Sequence, residues 1–205
     1  MLRRLSLAVL LAVGVVLVPG SASAAPQPPP SADTYTSYYG YASVALSDGR
    51  TAQVSLSRYR AGVRDPWRGF LYVVTTGACG SAWCPLVTGS LELTGDQVRV
   101  DRQLQSASVT GVALPLGAAY LPGQPVGAPV TVTASLTFTG VGALTRDTYG
   151  GKVCGSGEPC LHSLRVDASR AATAQLTLGT LTGSGDGALT RGWSLDVQRP
   201  IVVPA

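Results

Sequence analysis

The sequence predicts an all-β fold, a two-sheet antiparallel sandwich of the jelly-roll or immunoglobulin-like kind. Several segments alternate strictly between apolar and polar residues, and turns rich in Gly, Asp and Pro separate most of them. No segment shows the convincing spacing of an amphipathic helix. About nine or ten short strands are expected. A closed β-barrel is the alternative architecture.

The clearest strand is VTVTASLTF, because its side chains alternate without interruption. One side carries Val130, Val132, Ala134, Leu136 and Phe138, and the other carries Thr131, Thr133, Ser135, Thr137 and Thr139. Alternation rich in β-branched residues is typical of a half-buried strand.

The clearest hairpin is YGYASVALSDGRTAQVSLS, residues 39–57. All of its core-type residues before and after the turn have even numbers, which a two-residue turn would split between the two faces. A three-residue loop with Gly49 in the left-handed region keeps them together. We therefore expect Val44 to pair with Ala52, and Ala42 with Val54.

The remaining predicted strands follow from shorter alternating runs. They are Gly69–Thr76, Leu86–Leu93, Gln97–Gln105, Ala107–Leu114, Leu161–Asp167, Ala172–Leu178 and Gly192–Gln198. His162 and Trp193 fall on the inward sides of their strands, and the TGSGDG segment around Asp186 is expected to be a turn. Residues 98–101 (VRVD) resemble residues 164–167 (LRVD), as an internal duplication would produce.

The N-terminus has the three parts of a secretory signal peptide: Arg3 and Arg4, an apolar run, and Ala22-Ser23-Ala24 before the expected cleavage site. The sequence thus predicts a signal peptide over residues 1–24, a Pro-rich spacer over 25–34 and a single β-sandwich domain over 35–205. The expected location is extracellular, with no membrane attachment after cleavage.

The composition excludes several classes of protein. Charged residues make up 13% of the chain, and removing Arg3 and Arg4 leaves a net charge of about +2, so no nucleic-acid partner is expected. Lys152 is the only lysine, amid abundant Arg, Ala, Gly and Val. This bias is typical of GC-rich bacterial genomes and indicates a bacterial source.

Four cysteines in an exported chain predict two disulfides. The pairing Cys79–Cys84 and Cys154–Cys160 is favoured, because each pair flanks a Gly-containing turn. Loops this short contribute only about 2 kcal/mol each, so the bridges would shape two loops more than stabilise the fold.

Signatures of catalysis are missing from the sequence. It has no Gly-x-Ser-x-Gly elbow, no phosphate-binding loop and no metal-binding motif, and His162 is its only histidine. We therefore expect no catalytic residue, cofactor or metal. A pair of carboxylates brought together by the fold would be the exception, because their separation is not visible in sequence.

The aromatic residues indicate a binding surface. Tyr35, Tyr39, Tyr41 and Tyr59 point outward in the hairpin register, and Trp67 and Trp83 lie in loops. Exposed aromatic rings stack on sugars or on partner proteins, although another sheet, a loop or the N-terminal spacer covering this face would be an ordinary structural alternative.

These observations favour a non-catalytic extracellular binding or structural module. Its expected partner is a polysaccharide, a component of the cell envelope or another secreted protein. Two alternatives remain open at this point. One is a secreted hydrolase or lyase on a jelly-roll scaffold, and the other is a secreted inhibitor or interaction protein that presents a disulfide-stapled loop.

Overall fold

The computed structural model describes residues 32–76, 87–118, 129–154 and 160–199. These residues form nine β-strands and no helix, and therefore no helix that could span a membrane. The strands are β1 (Ala32–Leu46), β2 (Thr51–Arg60), β3 (Arg68–Thr76), β4 (Val87–Thr94), β5 (Arg99–Val100), β6 (Ser106–Ala118), β7 (Val130–Val153), β8 (Cys160–Leu178) and β9 (Leu181–Arg199).

All nine strands belong to one antiparallel sheet in the order β4-β3-β2-β1-β9-β8-β7-β6-β5. β4 also pairs with β6, so eight of the strands are joined in a ring of pairings, and the short β5 lies beside the start of β6. The predicted all-β antiparallel fold is confirmed. The predicted division into two sheets is not, because hydrogen bonds connect every described strand to the same sheet.

The β1–β2 hairpin has the predicted register. Val44 pairs with Ala52 and Ala42 with Val54. Gly49 has φ 84°, in the left-handed region that a three-residue loop requires. The even-numbered apolar residues of both strands consequently lie on one face of the sheet, which we call the inner face.

The hydrophobic core fills the inner face at one end of the long strands. Its largest fully buried side chains are Phe138, Leu71, Leu104, Leu114, Leu136, Leu176 and Leu189. The predicted alternation in β7 is confirmed for Ala134, Leu136 and Phe138, whereas Val130 at the start of the strand is 64% exposed. Along β7, complete burial of the inner-face side chains therefore begins at Ala134, four residues after the strand starts.

The TGSGDG segment is part of β9, so its prediction as a turn was wrong. Gly183, Gly185 and Gly187 occupy alternate inner-face positions, opposite β1. A Cβ at any of them would collide with the main chain of β1, at Ala45, Ser43 and Tyr41 respectively. These glycines are therefore needed for close approach of two strands rather than for a change of chain direction.

Four strands extend beyond the core and form what we call the arm: residues 32–38 of β1, 145–153 of β7, 160–170 of β8 and 190–199 of β9. The sequence analysis had divided β8 into two strands, ended β7 too early and started β9 too late. A bulge between Val141 and Thr145 restores the pairing of β7 with β8 past the glycines that interrupt its pattern.

Two residues expected inside the fold lie in the arm instead. Trp193 and His162 are on the inner face as predicted, but both are only half-buried, because the core does not reach this level of the sheet. Leu164, between them on the same face, is 38% exposed. Inward direction along a strand therefore does not imply burial in this fold.

The region predicted as strand Gln97–Gln105 contains only the two-residue β5 followed by a turn. Asp101 stabilises that turn, since its Oδ1 accepts hydrogen bonds from the backbone N–H groups of Gln103 and Gln105, at 2.8 and 3.2 Å. Residues 98–101 and 164–167 thus occupy different environments, and the arrangement lends no support to a duplication. β1 begins at Ala32, within the predicted spacer.

Candidate functional site

Aromatic side chains line a shallow trough on the outer face of β1, β2 and β3. In one row, Tyr41 pairs with Ser55 and Ser55 with Tyr72. In the next row, Tyr39 pairs with Ser57 and Ser57 with Phe70. Neighbouring strands lie about 4.8 Å apart, so the two aromatic walls stand about 10 Å from each other across a floor of small serines. We call this surface the aromatic trough.

The walls of the trough are open to solvent. Tyr39 is 43% exposed, Tyr41 50%, and Phe70 and Tyr72 40% each. The rings of Tyr39 and Tyr41 stack on one another with centroids 6.0 Å apart and planes inclined by 30°. This mutual packing restricts both rings, so a flat ligand would meet a surface that is already ordered.

Polar groups flank the trough. Glu92 on β4 is opposite Phe70 and exposed, so its carboxylate lies beyond the second wall. At one end, Gln53 Nε2 donates a 3.0 Å hydrogen bond to Ser43 Oγ, which orients that amide. At the other end, Arg68 is exposed on the outer face of β3. The trough therefore combines flat apolar walls with hydrogen-bonding and charged groups at its floor and margins.

The four tyrosines predicted to share a surface do lie on the same face. Tyr35 and Tyr59 stack on each other at 6.4 Å between ring centroids, on the part of the hairpin that leads into the arm. Tyr59 is half-buried, and Tyr35 is 43% exposed. They continue the aromatic face beyond Tyr39 and Tyr41, although the facing wall of Phe70 and Tyr72 does not extend that far.

The structure separates Trp67 from this group. Its ring packs against Tyr38, 5.8 Å between centroids, and the guanidinium carbons of Arg58 and Arg60 each lie 4.6 Å from its centroid. Tyr38, Arg58 and Arg60 belong to the inner face, so the Trp67 ring lies on that side of the sheet, away from the exposed tyrosines. Trp83 lies outside the described residues.

Phe70 and Tyr72 were missed by sequence reasoning. The signal was present, because they alternate with the buried Leu71 and Val73 and therefore point outward. Phe70 and Tyr72 form the second wall only because β3 pairs with β2 in this register. The sequence of β3 does not indicate which strand it pairs with.

A cleft of about 720 Å³ adjoins the trough at the ends of β3 and β4. Trp67 lines it together with Glu92 and Asp96. A hydrogen bond from the side chain of Thr94 is the main cause that lowers the pKa of Asp96, which is therefore an acceptor, not an acid, at neutral pH. Residues of both faces line the cleft, with Arg58 from the inner face and Arg68 and Glu92 from the outer face.

A pair of carboxylates lies on the outer face of the arm. Asp33 on β1 and Asp196 on β9 are directly opposite one another. Both line a second cleft, of about 540 Å³, together with Asp65 of the loop after β2. Like charges directly opposite in a sheet are destabilising, so this pair was not expected from ordinary strand composition.

Of the two predicted disulfides, the structure contains Cys154–Cys160, with Cα atoms 4.2 Å apart. It joins the end of β7 to the start of β8 at the far end of the arm. Cys79 and Cys84 lie outside the described residues. No group of three or more His, Cys, Asp or Glu side chains in the described parts of the chain has the geometry of a metal site.

No family model matches this chain, and neither the curated proteins nor the solved structures show a significant similarity to it. Function must therefore be inferred from the surfaces themselves.

Proposed function

We propose that this protein is a non-catalytic extracellular binding module that recognises a polysaccharide through the aromatic trough. The observation that carries the proposal is the pair of exposed aromatic walls, Tyr39 with Tyr41 and Phe70 with Tyr72, on either side of a serine floor. Exposed aromatic patches on one face are a mark of ligand or partner binding.

The chemistry of the trough fits sugar rings better than charged ligands. A pyranose presents flat C–H faces that pack on aromatic rings, while its hydroxyls need donors and acceptors at the margins. Ser55, Ser57 and Glu92 supply such groups. Two exposed aromatic walls could contact several sugar rings of one long chain, so insoluble polymers are the expected ligands.

The first experiment is co-sedimentation of the purified protein, residues 25–205, with insoluble chitin, cellulose and bacterial cell walls. The expected result is selective retention on one matrix and release by the matching soluble sugar. The double variants Tyr39→Ala/Tyr41→Ala and Phe70→Ala/Tyr72→Ala should each weaken retention by about tenfold or more, since stacking contacts at hot spots are worth about 2 kcal/mol.

Tyr149 provides the matched control. It is an exposed tyrosine, 57% accessible, on the outer face of the same sheet but on β7. Tyr149→Ala should leave retention unchanged. Equal loss in this variant and in the trough variants would show that sedimentation reports general stickiness, and retention unaffected by any of them would remove the trough as the site.

The proposed location agrees with the N-terminal signal pattern and with a disulfide in the arm. Disulfides persist mainly in oxidising compartments, so both features favour export. Edman sequencing of the protein recovered from the culture medium tests this directly, with a mature N-terminus at Ala25 as the expected result.

The Asp33–Asp196 pair favours a second candidate function, hydrolysis of a polysaccharide. Directly opposite residues have Cβ atoms about 4.5–5.5 Å apart, comparable with the roughly 5–5.5 Å between the carboxyl groups of retaining glycosidases. The second cleft would have to hold the scissile bond. Release of reducing ends from the retained polymer, lost in Asp196→Asn, would establish this activity; intact polymer after prolonged incubation would rule it out.

A further inference from the structure

Acidic side chains of the described strands occur on only one of the two faces of the sheet. Along the described strands, every charged residue on the inner face is basic, and every carboxylate points outward. The inner-face residues are Arg58, Arg60, Arg146, Lys152, Arg170 and Arg191; the outward carboxylates are Asp33, Glu92, Asp147, Asp167, Asp186 and Asp196. A chain of small net charge thus has one strongly basic face.

Strand pairing places three of the basic residues in one row across the sheet. Arg58 pairs with Tyr38, and Tyr38 pairs with Arg191. The same row continues through Ala168 to Arg146. Arg170 lies one position closer to the core, next to this row, and is half-buried like Arg58 and Arg191. The base of the arm therefore brings several guanidinium groups to one side of the sheet.

These guanidinium groups have no carboxylate partner within ion-pair distance among the described residues, where the ion pairs are Arg50–Asp48 and Arg165–Asp167. Arg60 donates to the carbonyl oxygen of Val63 at 2.9 Å, and Arg191 to that of Arg102 at 3.4 Å.

The Nε atoms of Arg58 and Arg170 are buried without a hydrogen-bond partner among the described residues. Burial lowers the pKa of Arg58, and the nearby charge of Arg60 lowers it further, while Tyr38 and Asp96 act in the opposite direction. A buried N–H donor without a partner is costly, and an anionic acceptor would satisfy a guanidinium most strongly.

An apolar strip continues from this basic row toward the far end of the arm. Trp193 and Val166 pair with each other, followed by Leu195 with Leu164 and then Val197 with His162. None of these side chains is fully buried: Leu164 is exposed and the others are half-buried. At about 3.3 Å per residue, the strip is about 13 Å long. Basic residues at its base and Lys152 at its side surround an apolar floor.

We propose that the inner face of the arm binds an anionic amphiphile, with the acid group at Arg58, Arg170 and Arg191 and the hydrocarbon chain along the strip ending at Val197. The basic residues favour a ligand with an acid group, and the apolar strip favours a hydrocarbon chain attached to that group. This site is on the opposite face from the aromatic trough and is independent of the function proposed for the trough.

Isothermal titration calorimetry of the purified protein with three probes tests the proposal. Decanoate has both features of the ligand, 1-decanol has only the chain, and acetate has only the acid. The extended chain of decanoate is comparable in length to the strip. Decanoate should bind well, and the other two probes should bind about tenfold more weakly or not at all. Raising the salt concentration toward 1 M should weaken decanoate binding, because charge attraction is then screened.

Single variants locate the site. Arg191→Gln and Arg58→Gln should each weaken decanoate binding by about tenfold, because each removes a charge-assisted contact. Leu164→Thr should also weaken it, and because Leu164 is 38% exposed the variant should still fold. Arg165→Gln, next to Leu164 but on the outer face and paired with Asp167, is the matched control and should bind decanoate normally.

Several results would overturn the proposal. Equal binding of 1-decanol and decanoate would show that the arginines do not contribute to binding. Loss of decanoate binding in Arg165→Gln as large as in Arg191→Gln would show the same. Loss of decanoate binding in Tyr39→Ala/Tyr41→Ala would place the ligand in the aromatic trough instead. Sedimentation velocity showing self-association that Arg191→Gln abolishes would identify a second copy of the chain as the occupant.

Discussion

The ring edge of Phe138 on β7 lies against the backbone of Gly40 on β1, although two strands, β9 and β8, separate β7 from β1 in the sheet. A Cβ added at Gly40 would lie 2.9 Å from Phe138 Cε2 and 3.0 Å from Cδ2. Phe138 is fully buried. The contact therefore crosses the interior enclosed by the ring of strand pairings and shows how one large side chain fills it.

Gly40→Ala should lower the free energy of unfolding by about 1–3 kcal/mol, because the added methyl group overpacks a full interior. Urea unfolding followed by fluorescence measures the change. In the background of Phe138→Leu, which itself leaves a smaller side chain, the same Gly40→Ala substitution should cost less. Gly117→Ala is the control, since a Cβ there would meet nothing within 4 Å, and it should not destabilise.

Gly185→Ala should be more damaging, with a loss of about 2–3 kcal/mol or more, because its Cβ would meet the main chain of Ser43 and backbone cannot rotate away. Thermal unfolding compares it with Asp186→Ala, the adjacent outward residue, which should change stability by no more than about 0.5 kcal/mol. Similar stability in both variants would show that β9 does not approach β1 as closely as described.

The loop of the β1–β2 hairpin contains Asp48, whose carboxyl pKa is lowered in the folded protein. The side chain of Arg50 donates to Asp48 Oδ2 at 2.7 Å and lowers the pKa of that carboxyl below its ordinary 3.8. Because the folded-state pKa is below the unfolded one, the stabilisation is complete above the unfolded pKa and is lost as pH falls through the folded value. NMR titration should give a midpoint below 3.8 for Asp48. In Arg50→Ala the midpoint should rise toward the ordinary value, and an unchanged midpoint would contradict the role of Arg50.

Removing the described disulfide should have a modest effect. Cys154 and Cys160 are six residues apart, so the chain-entropy estimate for Cys154→Ser/Cys160→Ser is a loss of about 2 kcal/mol. Hydrogen exchange should increase at the far end of the arm and remain unchanged around Phe138. Global unfolding at ambient temperature would mean that the bridge stabilises the core as well as the arm.

Local patterns were sufficient for several features. The numbering of the apolar residues around Gly49 specified both the loop length and the register of β1 with β2, because side-chain direction in a strand repeats every two residues. Alternation also assigned the buried side of β7 at Leu136 and Phe138. The Cys154–Cys160 bridge followed from the short spacing of the two cysteines and from the expectation that the chain is exported.

Features that depend on strand order were decided only by the tertiary structure. Nothing within residues 68–76 states that Phe70 will face Tyr39 across Ser57, because that neighbour is set by pairing between distant segments. The same holds for Asp33 opposite Asp196.

The amino-acid sequence by itself determined the all-β antiparallel character, the register of the β1–β2 hairpin and the direction of side chains in the strands it identified, since these depend on neighbours along the chain. The tertiary structure alone decided how far the strands extend, why Gly185 must be glycine, and which side chains remain exposed on the inner face near Trp193. Those properties arise from contacts between segments far apart in sequence, whose geometry exists only once the sheet has formed.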